Sequence, residues 1–305
     1  FDIEYLQCSS DNDSLDGMLV PSIAVAVIDG TSPHIVDPKT PGVVDEIINL
    51  GEYWDESKLR PMRDAVLDTN RRTGRMFQIA YSLLKEAKAA YDEWGGYISE
   101  CIDRSEYARL SNGLAVDIFS GVPDNYKASP KQRHMFASAI TPGGLKSYAN
   151  TLIAPGMKVY ALDGGPGSGI REILSRISQT AEYKGLSTEL FHCPFAPDSL
   201  DMVIIHGIDT AVVNVSKPFH HDVPGEKTDF GDCIEQEKLL IYREELDDCK
   251  ARFAHLLEAS IAHLAKAKAA HDAMEKYYVA SMDFKGVEQK RQQVLQRILR
   301  YADEK

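Results

Sequence analysis

The sequence contains little that would suit a membrane, a nucleic-acid surface or a disulfide-stabilised fold. None of its apolar runs approaches the roughly 20 residues that a membrane-spanning helix requires. Lysine and arginine total 34 against 46 aspartates and glutamates, and the net charge of -12 argues against a general nucleic-acid surface. The five cysteines include no close-spaced pair, which predicts a reduced, cytoplasmic setting. We therefore expect neither a membrane nor a nucleic acid among the partners.

The rest of the composition is that of an ordinary globular protein. The 305 residues are 44% apolar and 26% charged, as is usual for folded domains. A chain of this length accommodates two domains, each large enough to bury its own core.

An internal repeat is the clearest feature of the chain. The string Asp-Ser-Leu-Asp at 13–16 returns 185 positions later at 198–201, and an apolar run follows both copies. The string Ala-Lys-Ala-Ala at 87–90 returns 180 positions later at 267–270. Solenoid repeats have periods of about 20 to 50 residues, so a repeat of this length predicts two duplicated domains.

The second copy has the pattern of an α/β domain. An apolar strand is predicted at 157–162, a glycine-rich turn at 164–169, and an amphipathic helix from Ile170 onward. Three further apolar segments, which predict strands, lie at 190–193, 199–205 and 208–215. This order of elements predicts a mainly parallel sheet that is buried on both faces.

A long helix is predicted at the end of each copy. Apolar residues recur at intervals of three and four between Leu59 and Trp94, and again between Leu239 and Tyr278. This spacing puts an apolar stripe along one side of each helix. Each domain is therefore expected to carry a long α-helical arm.

The repeat also predicts the domain boundaries. The first copy is expected at residues 1–120 and the second at 133–305, with a polar, proline-containing linker at 121–132. The first copy has no counterpart of the glycine-rich turn of the second copy. We expect a longer natural chain to carry a strand, an intact phosphate loop and a helix upstream of Phe1.

The glycine-rich turn is the candidate ligand site. It lies between a predicted strand and a predicted helix, where glycines let backbone amides converge on an anion at the positive helix end. A full phosphate loop continues with lysine and serine or threonine, but Ile170 and Arg171 occupy those positions. Arginine can donate to a phosphate but cannot ligate magnesium. The candidate nucleotide-binding residues are Gly164, Gly165, Pro166, Gly167, Ser168, Gly169, Ile170 and Arg171.

The acidic partner of such a loop is a carboxylate that ends an apolar strand. In the first copy Asp29 follows a Val-Ala-Val-Ile run and is the candidate magnesium ligand. The second copy has Asn214 at that position, and a neutral amide is a weaker ligand than a carboxylate. The second site is therefore expected to be degenerate. The paired aspartates Asp13 and Asp16, which recur as Asp198 and Asp201, either cap helices, which we prefer, or join a shared magnesium site.

With these residues in view, the chain resembles an uncharacterised bacterial family of tandem P-loop ATPase-like, nucleotide-kinase-related proteins. The resemblance covers nearly the whole chain, and its strings lie at 8–17, 29–38, 164–169, 267–272 and 276–278. It implies two P-loop NTPase-like domains, with residues 164–169 as the nucleotide loop of the second. The departures at Ile170, Arg171 and Asn214 count against ATP hydrolysis by this domain.

Two functions are consistent with these features. The first is binding of a purine nucleotide, ATP or a relative with Mg²⁺, in which hydrolysis or phosphoryl transfer requires an intact first loop. The second is a catalytically inactive scaffold, in which the glycine turn only joins strand to helix. The helical arms of such a scaffold would bind a protein partner or a second copy of the chain.

Overall fold

The chain has a mixed α/β fold, as its sequence predicts. A computed structural model describes residues 1–31, 34–125, 129–219 and 221–304, so residues 126–128 of the predicted linker and residues 32 and 33 fall outside it. The helices of the described part are α1 (Glu56–Leu59), α2 (Arg63–Glu100), α3 (Arg104–Phe119), α4 (Ile170–Tyr183), α5 (Gln236–Leu239), α6 (Arg243–Val279) and α7 (Phe284–Asp303). Its strands are β1 (Glu4–Gln7), β2 (Leu15–Val20), β3 (Val25–Ile28), β4 (Gln132–Met135), β5 (Ser138–Thr141), β6 (Gly144–Ser147), β7 (Lys158–Asp163), β8 (Thr188–His192), β9 (Leu200–Ile205), β10 (Thr210–Asn214) and β11 (Glu226–Asp229).

The chain forms two compact units, and both halves of the sequence contribute to each. Unit 1 comprises Phe1–Gln78 and His263–Lys305, whereas unit 2 comprises Ile79–Ala262. The helices α2 and α6 each supply residues to both units.

A mostly parallel sheet forms the centre of unit 2. Within the described ranges it has six strands, in the order β11-β7-β10-β9-β8-β4. β7 runs parallel to β10 and β11, and β8 runs parallel to β4. β9 is antiparallel to both of its neighbours, because short connections join it to β8 and β10 and only a longer crossover returns a chain in parallel.

Both faces of this sheet are covered, which explains its continuous apolar strands. All six residues of β9 are buried. Successive side chains of a strand point to opposite faces. Val203 and Ile205 accordingly pack with Leu174 of α4, whereas Met202 and Ile204 belong to the cluster on the other face.

The sheet of unit 1 differs from the mainly parallel sheet that the sequence predicts for each domain. In the part of unit 1 that the structure describes, β1, β2 and β3 form a three-stranded antiparallel sheet in that order. Their connections at 8–14 and 21–24 are too short for the crossover that parallel pairing requires.

The predicted helical arms are α2 and α6, which have 38 and 37 residues. At a rise of 1.5 Å per residue, each is about 55 Å long.

Asp103 accepts hydrogen bonds from two backbone N–H groups at the start of α3, and Asp283 does the same for α7. Asp103 and Asp283 are 180 positions apart, which is the offset of the repeated Ala-Lys-Ala-Ala string. No helix in the described ranges is long and apolar enough to cross a membrane.

The cap of α3 can be tested through stability. We expect Asp103→Ala to lower the free energy of unfolding by about 1 kcal/mol, because the first turn of α3 loses its acceptor. Asp103→Asn retains a side-chain oxygen and should lose much less. Urea denaturation followed by far-UV circular dichroism measures both, and equal losses would show that the cap hydrogen bonds do not stabilise the unit.

Candidate functional site

The glycine-rich loop joins the end of β7 to the start of α4, where the sequence predicts it. Gly165, Gly167 and Gly169 have φ values of +75°, +76° and +86°, a left-handed conformation that glycine adopts without steric cost. Gly169 is the N-cap of α4 and offers no side chain as a cap. In the described part of the chain these three amides donate to no protein acceptor. The loop therefore presents free N–H groups at the positive end of a 14-residue helix.

Two helices lie directly on this loop. A Cβ atom on Gly167 would overlap the carbonyl oxygen of Gly95 in α2, so the two backbones touch with no side chain between them. Tyr107 of α3 donates its hydroxyl to the carbonyl oxygen of Gly169 at 3.0 Å. The glycines thus have a packing role in addition to their backbone conformation.

The loop and α2 enclose a cavity of about 280 Å³. Its walls are formed by the loop and first turn of α4, by one face of α2, and by residues at the ends of strands: Gly165–Glu172, Tyr91, Asp92, Gly95, Gly96, Ser99, Asp201, Asn214, Ser216 and Phe219. Pockets for small ligands have volumes of roughly 300 to 1,000 Å³. The cavity therefore has room for a phosphate chain, while a bound base and sugar would extend beyond it.

The two residues that follow the last loop glycine take different positions. Ile170, which occupies the lysine position of the phosphate-loop motif, is 3% exposed and belongs to the core under the sheet. Arg171, like Ile170, lines the cavity, but its guanidinium makes polar contacts there. Its guanidinium lies 3.3 Å from the hydroxyl of Tyr91 and 3.4 Å from Sγ of Cys193, and it stacks 5.2 Å from the Tyr91 ring centroid.

Burial sets the charges of the groups around Arg171. Desolvation raises the pKa of Tyr91 to about 12, and it raises the pKa of the Cys193 thiol to about 12, with a further contribution from the neighbouring Asp201. Both side chains are therefore neutral near pH 7 and do not neutralise the guanidinium. Asp201 and Asp92 also interact electrostatically with the guanidinium, so a phosphate in the cavity would compete with these carboxylates for it.

The carboxylate of this site comes from Asp201, one of the recurring aspartates, for which a shared magnesium site is only the second interpretation of the sequence. Asp201 of β9 is 2% exposed and lines the cavity. Its Oδ1 accepts a hydrogen bond from Asn214 at 3.3 Å, whereas its buried Oδ2 has no hydrogen-bond partner among the described residues. Asn214 also accepts from the backbone N–H of Ser216. Asn214 therefore orients the carboxylate of Asp201 and does not itself supply a carboxylate.

The preferred interpretation of the recurring aspartates as helix caps is wrong. Asp16 and Asp201 lie inside β2 and β9, each at the second position of its strand. The repetition of this aspartate in both copies was the available signal for a functional role.

Asp29, the predicted magnesium ligand, directly follows β3 in unit 1. Its Oδ1 accepts hydrogen bonds from the backbone N–H and the hydroxyl of Thr31, at 2.9 and 2.7 Å. These bonds lower the pKa of the Asp29 carboxyl. Its backbone N–H donates to the carbonyl oxygen of Asp16, whose carboxylate lies 3.6 Å from His34. Asp29 belongs to unit 1, whereas the Gly164–Gly169 loop belongs to unit 2.

Comparisons with known proteins add no further constraint. No protein-family model, curated protein or solved structure matches the chain. The family resemblance inferred from the sequence therefore remains a prediction.

The backbone contact at Gly167 can be tested with a matched pair of variants. Gly165→Ala and Gly167→Ala both place a Cβ atom at a left-handed φ, but only the second Cβ meets other atoms, those of Gly95. Gly165→Ala should cost about 1–2 kcal/mol from backbone strain alone. Gly167→Ala should cost clearly more, as measured by urea denaturation. Equal losses would contradict the contact between α2 and the loop.

Proposed function

We propose that unit 2 binds the phosphate groups of a purine nucleotide, such as ATP with Mg²⁺, and does not hydrolyse it. The observation that supports this proposal best is the set of free amides on Gly165, Gly167 and Gly169, residues that line a cavity at the N-terminus of α4. Helix N-termini attract anions through unsatisfied N–H groups and the helix dipole. Arg171 adds a positive charge on the same wall of the cavity.

Asp201 suits the magnesium of such a ligand. A buried carboxylate oxygen without a partner is costly unless a cation or donor meets it. Carboxylate oxygen is a ligand that Mg²⁺ prefers, and Mg²⁺ usually reaches proteins through one or two carboxylates together with substrate phosphates. Asp201 would hold the ion, and the ion would neutralise negative charge on the phosphates.

Two residues, Ile170 and Asn214, explain why we expect no hydrolysis of the bound nucleotide. Ile170 buries an apolar side chain where the motif requires a lysine that reaches the outer phosphates. Asn214 uses its amide to hold Asp201 and Ser216. Catalysis of phosphoryl transfer is mainly positioning and electrostatic stabilisation, and this site lacks the cation aimed at the transferred group.

Calorimetric titration with Mg-ATP tests the proposal. We expect saturable binding by the full chain, weakened about tenfold or more in Arg171→Gln, because a hydrogen bond to a charged group contributes about 1.5–3 kcal/mol. Arg176→Gln is the matched control, since Arg176 lies on the same helix and bonds Ser111 and Asn112. We expect no phosphate release.

Magnesium dependence provides a second readout in the same titration. Asp201→Asn should bind ATP equally with Mg²⁺ and with EDTA, whereas the wild type should bind more weakly in EDTA. Absence of heat at millimolar Mg-ATP would contradict nucleotide binding. Equal weakening by Arg171→Gln and Arg176→Gln would mean that the guanidinium in the cavity has no special role.

One observation favours self-association through an arm as a second function. Helix α7 buries none of its residues, whereas α3, at the corresponding position of the repeat, buries Ser111, Leu114, Ile118 and Phe119. Leu295 and Leu299 of α7 lie one turn apart on the same face, and each is more than 40% exposed. A second copy of the chain could cover this apolar face.

Sedimentation velocity tests this second function. The wild type should form a dimer that the double variant Leu295→Glu and Leu299→Glu converts to a monomer, because buried charge opposes association. Val116→Glu, which changes an exposed residue of α3, is the control and should leave the dimer intact. A wild type that stays monomeric at high concentration would exclude self-association.

A further inference from the structure

A cluster of metal-ligating side chains lies on α6 in unit 1, away from the glycine loop. The donor atoms of His271, Asp272 and Glu275 lie within 4.8 Å of one another. Glu275 lies one turn after His271 and Asp272, at spacings of four and three that make it a neighbour of both on the helix surface.

The corresponding positions of the first arm face a ligand cavity. Counting back by the offset of the Ala-Lys-Ala-Ala string, 180 positions, His271, Asp272 and Glu275 correspond to Tyr91, Asp92 and Gly95. All three of these residues line the cavity of unit 2. In the first arm these positions therefore line a cavity. In the second arm the same positions carry an imidazole and two carboxylates in place of a tyrosine, one carboxylate and a glycine.

A lysine orients the central carboxylate of the cluster. Lys268 lies 3.0 and 2.9 Å from the two oxygens of Asp272, as Lys88 lies 2.6 and 2.5 Å from those of Asp92. The hydrogen bond to Asp272 raises the pKa of Lys268, with a smaller contribution from Asp11. A carboxylate has about four lone-pair sites, so Asp272 can ligate a metal while it still accepts from Lys268. Outer groups of this kind orient metal ligands.

We propose that His271, Asp272 and Glu275 bind one divalent transition-metal ion, with zinc as the preferred metal. One imidazole and two carboxylates are typical zinc ligands, whereas Mg²⁺ and Ca²⁺ select oxygen ligands. Donors around a tetrahedral zinc lie about 3.4 Å apart, given bonds of about 2.0–2.1 Å. His271 and Glu275 are exposed, so rotation of their side chains closes the remaining gap.

Three protein ligands leave one coordination position open. Zinc sites with three protein ligands keep the fourth position for water or substrate, whereas structural sites are filled by four. The ion would therefore hold an exchangeable ligand at the surface of unit 1. This site shares no residue with the proposed nucleotide site, so either proposal can fail without the other.

Titration of the metal-free full chain with Co²⁺ and Zn²⁺ tests the proposal. We expect one Co²⁺ per chain with the visible absorption of a four-coordinate site, and displacement of Co²⁺ by Zn²⁺ but not by Mg²⁺. His271→Ala and Glu275→Gln should each weaken binding by at least about tenfold, a loss in the range seen when metal-site groups are removed.

Matched controls come from the same helix. His255 and Glu258 are exposed residues of α6, and His255→Ala and Glu258→Gln should leave metal binding unchanged. His134→Ala is the control for a pair of imidazoles outside the cluster, in which Nδ1 of His134 lies 2.9 Å from Nε2 of His192. Circular dichroism checks that every variant folds. Unchanged affinity in His271→Ala, or a loss only in His134→Ala, would overturn the proposal.

Discussion

The architecture of unit 2 depends on one backbone contact, between Gly95 of α2 and Gly167 of the glycine-rich loop. Glycine inside a helix costs about 1 kcal/mol relative to alanine, and α2 has glycine where a Cβ atom would lie only 3.3 Å from the backbone nitrogen of Gly167. The contact brings Tyr91 and Asp92, about one turn earlier on α2, to the wall of the cavity. Tyr107 of α3 holds the far end of the loop through its bond to Gly169. The loop is therefore shaped as much by the helices that cover it as by its own glycines.

Within the cavity, burial separates neutral groups from charged ones. Tyr91 and Cys193 are neutral because desolvation raises the pKa of each to about 12. The guanidinium of Arg171 lies beside them, and one buried oxygen of Asp201 has no hydrogen-bond partner among the described residues. A buried, unpartnered carboxylate oxygen costs free energy that a bound ligand can recover. The cavity thus holds two groups that suit the metal–phosphate ligand proposed above, while position 170 carries an apolar side chain.

The two arms show how corresponding positions can carry different chemistry. Both arms keep a lysine–aspartate pair four residues apart, Lys88 with Asp92 and Lys268 with Asp272. In the first arm the neighbouring position is Gly95, which allows close packing on the loop. In the second arm that position is occupied by Glu275, which is exposed. A glutamate cannot permit a backbone contact of the kind that Gly95 makes, so this face of the second arm is suited to a ligand and not to close packing.

The sequence by itself determined the α/β character, the strand–glycine turn–helix order around residues 158–183, the two long arms, and the absence of a lysine at position 170. These features follow from local periodicity and residue type, which act over a few positions. Only the tertiary structure decided that β9 runs antiparallel, that Asp201 is the buried acid of the cavity, and that α2 and α3 close the loop. These features depend on contacts between residues far apart in the chain, such as Tyr107 and Gly169, 62 positions apart. Sequence spacing does not encode which helix face meets which loop, because that choice is made when whole elements pack against one another.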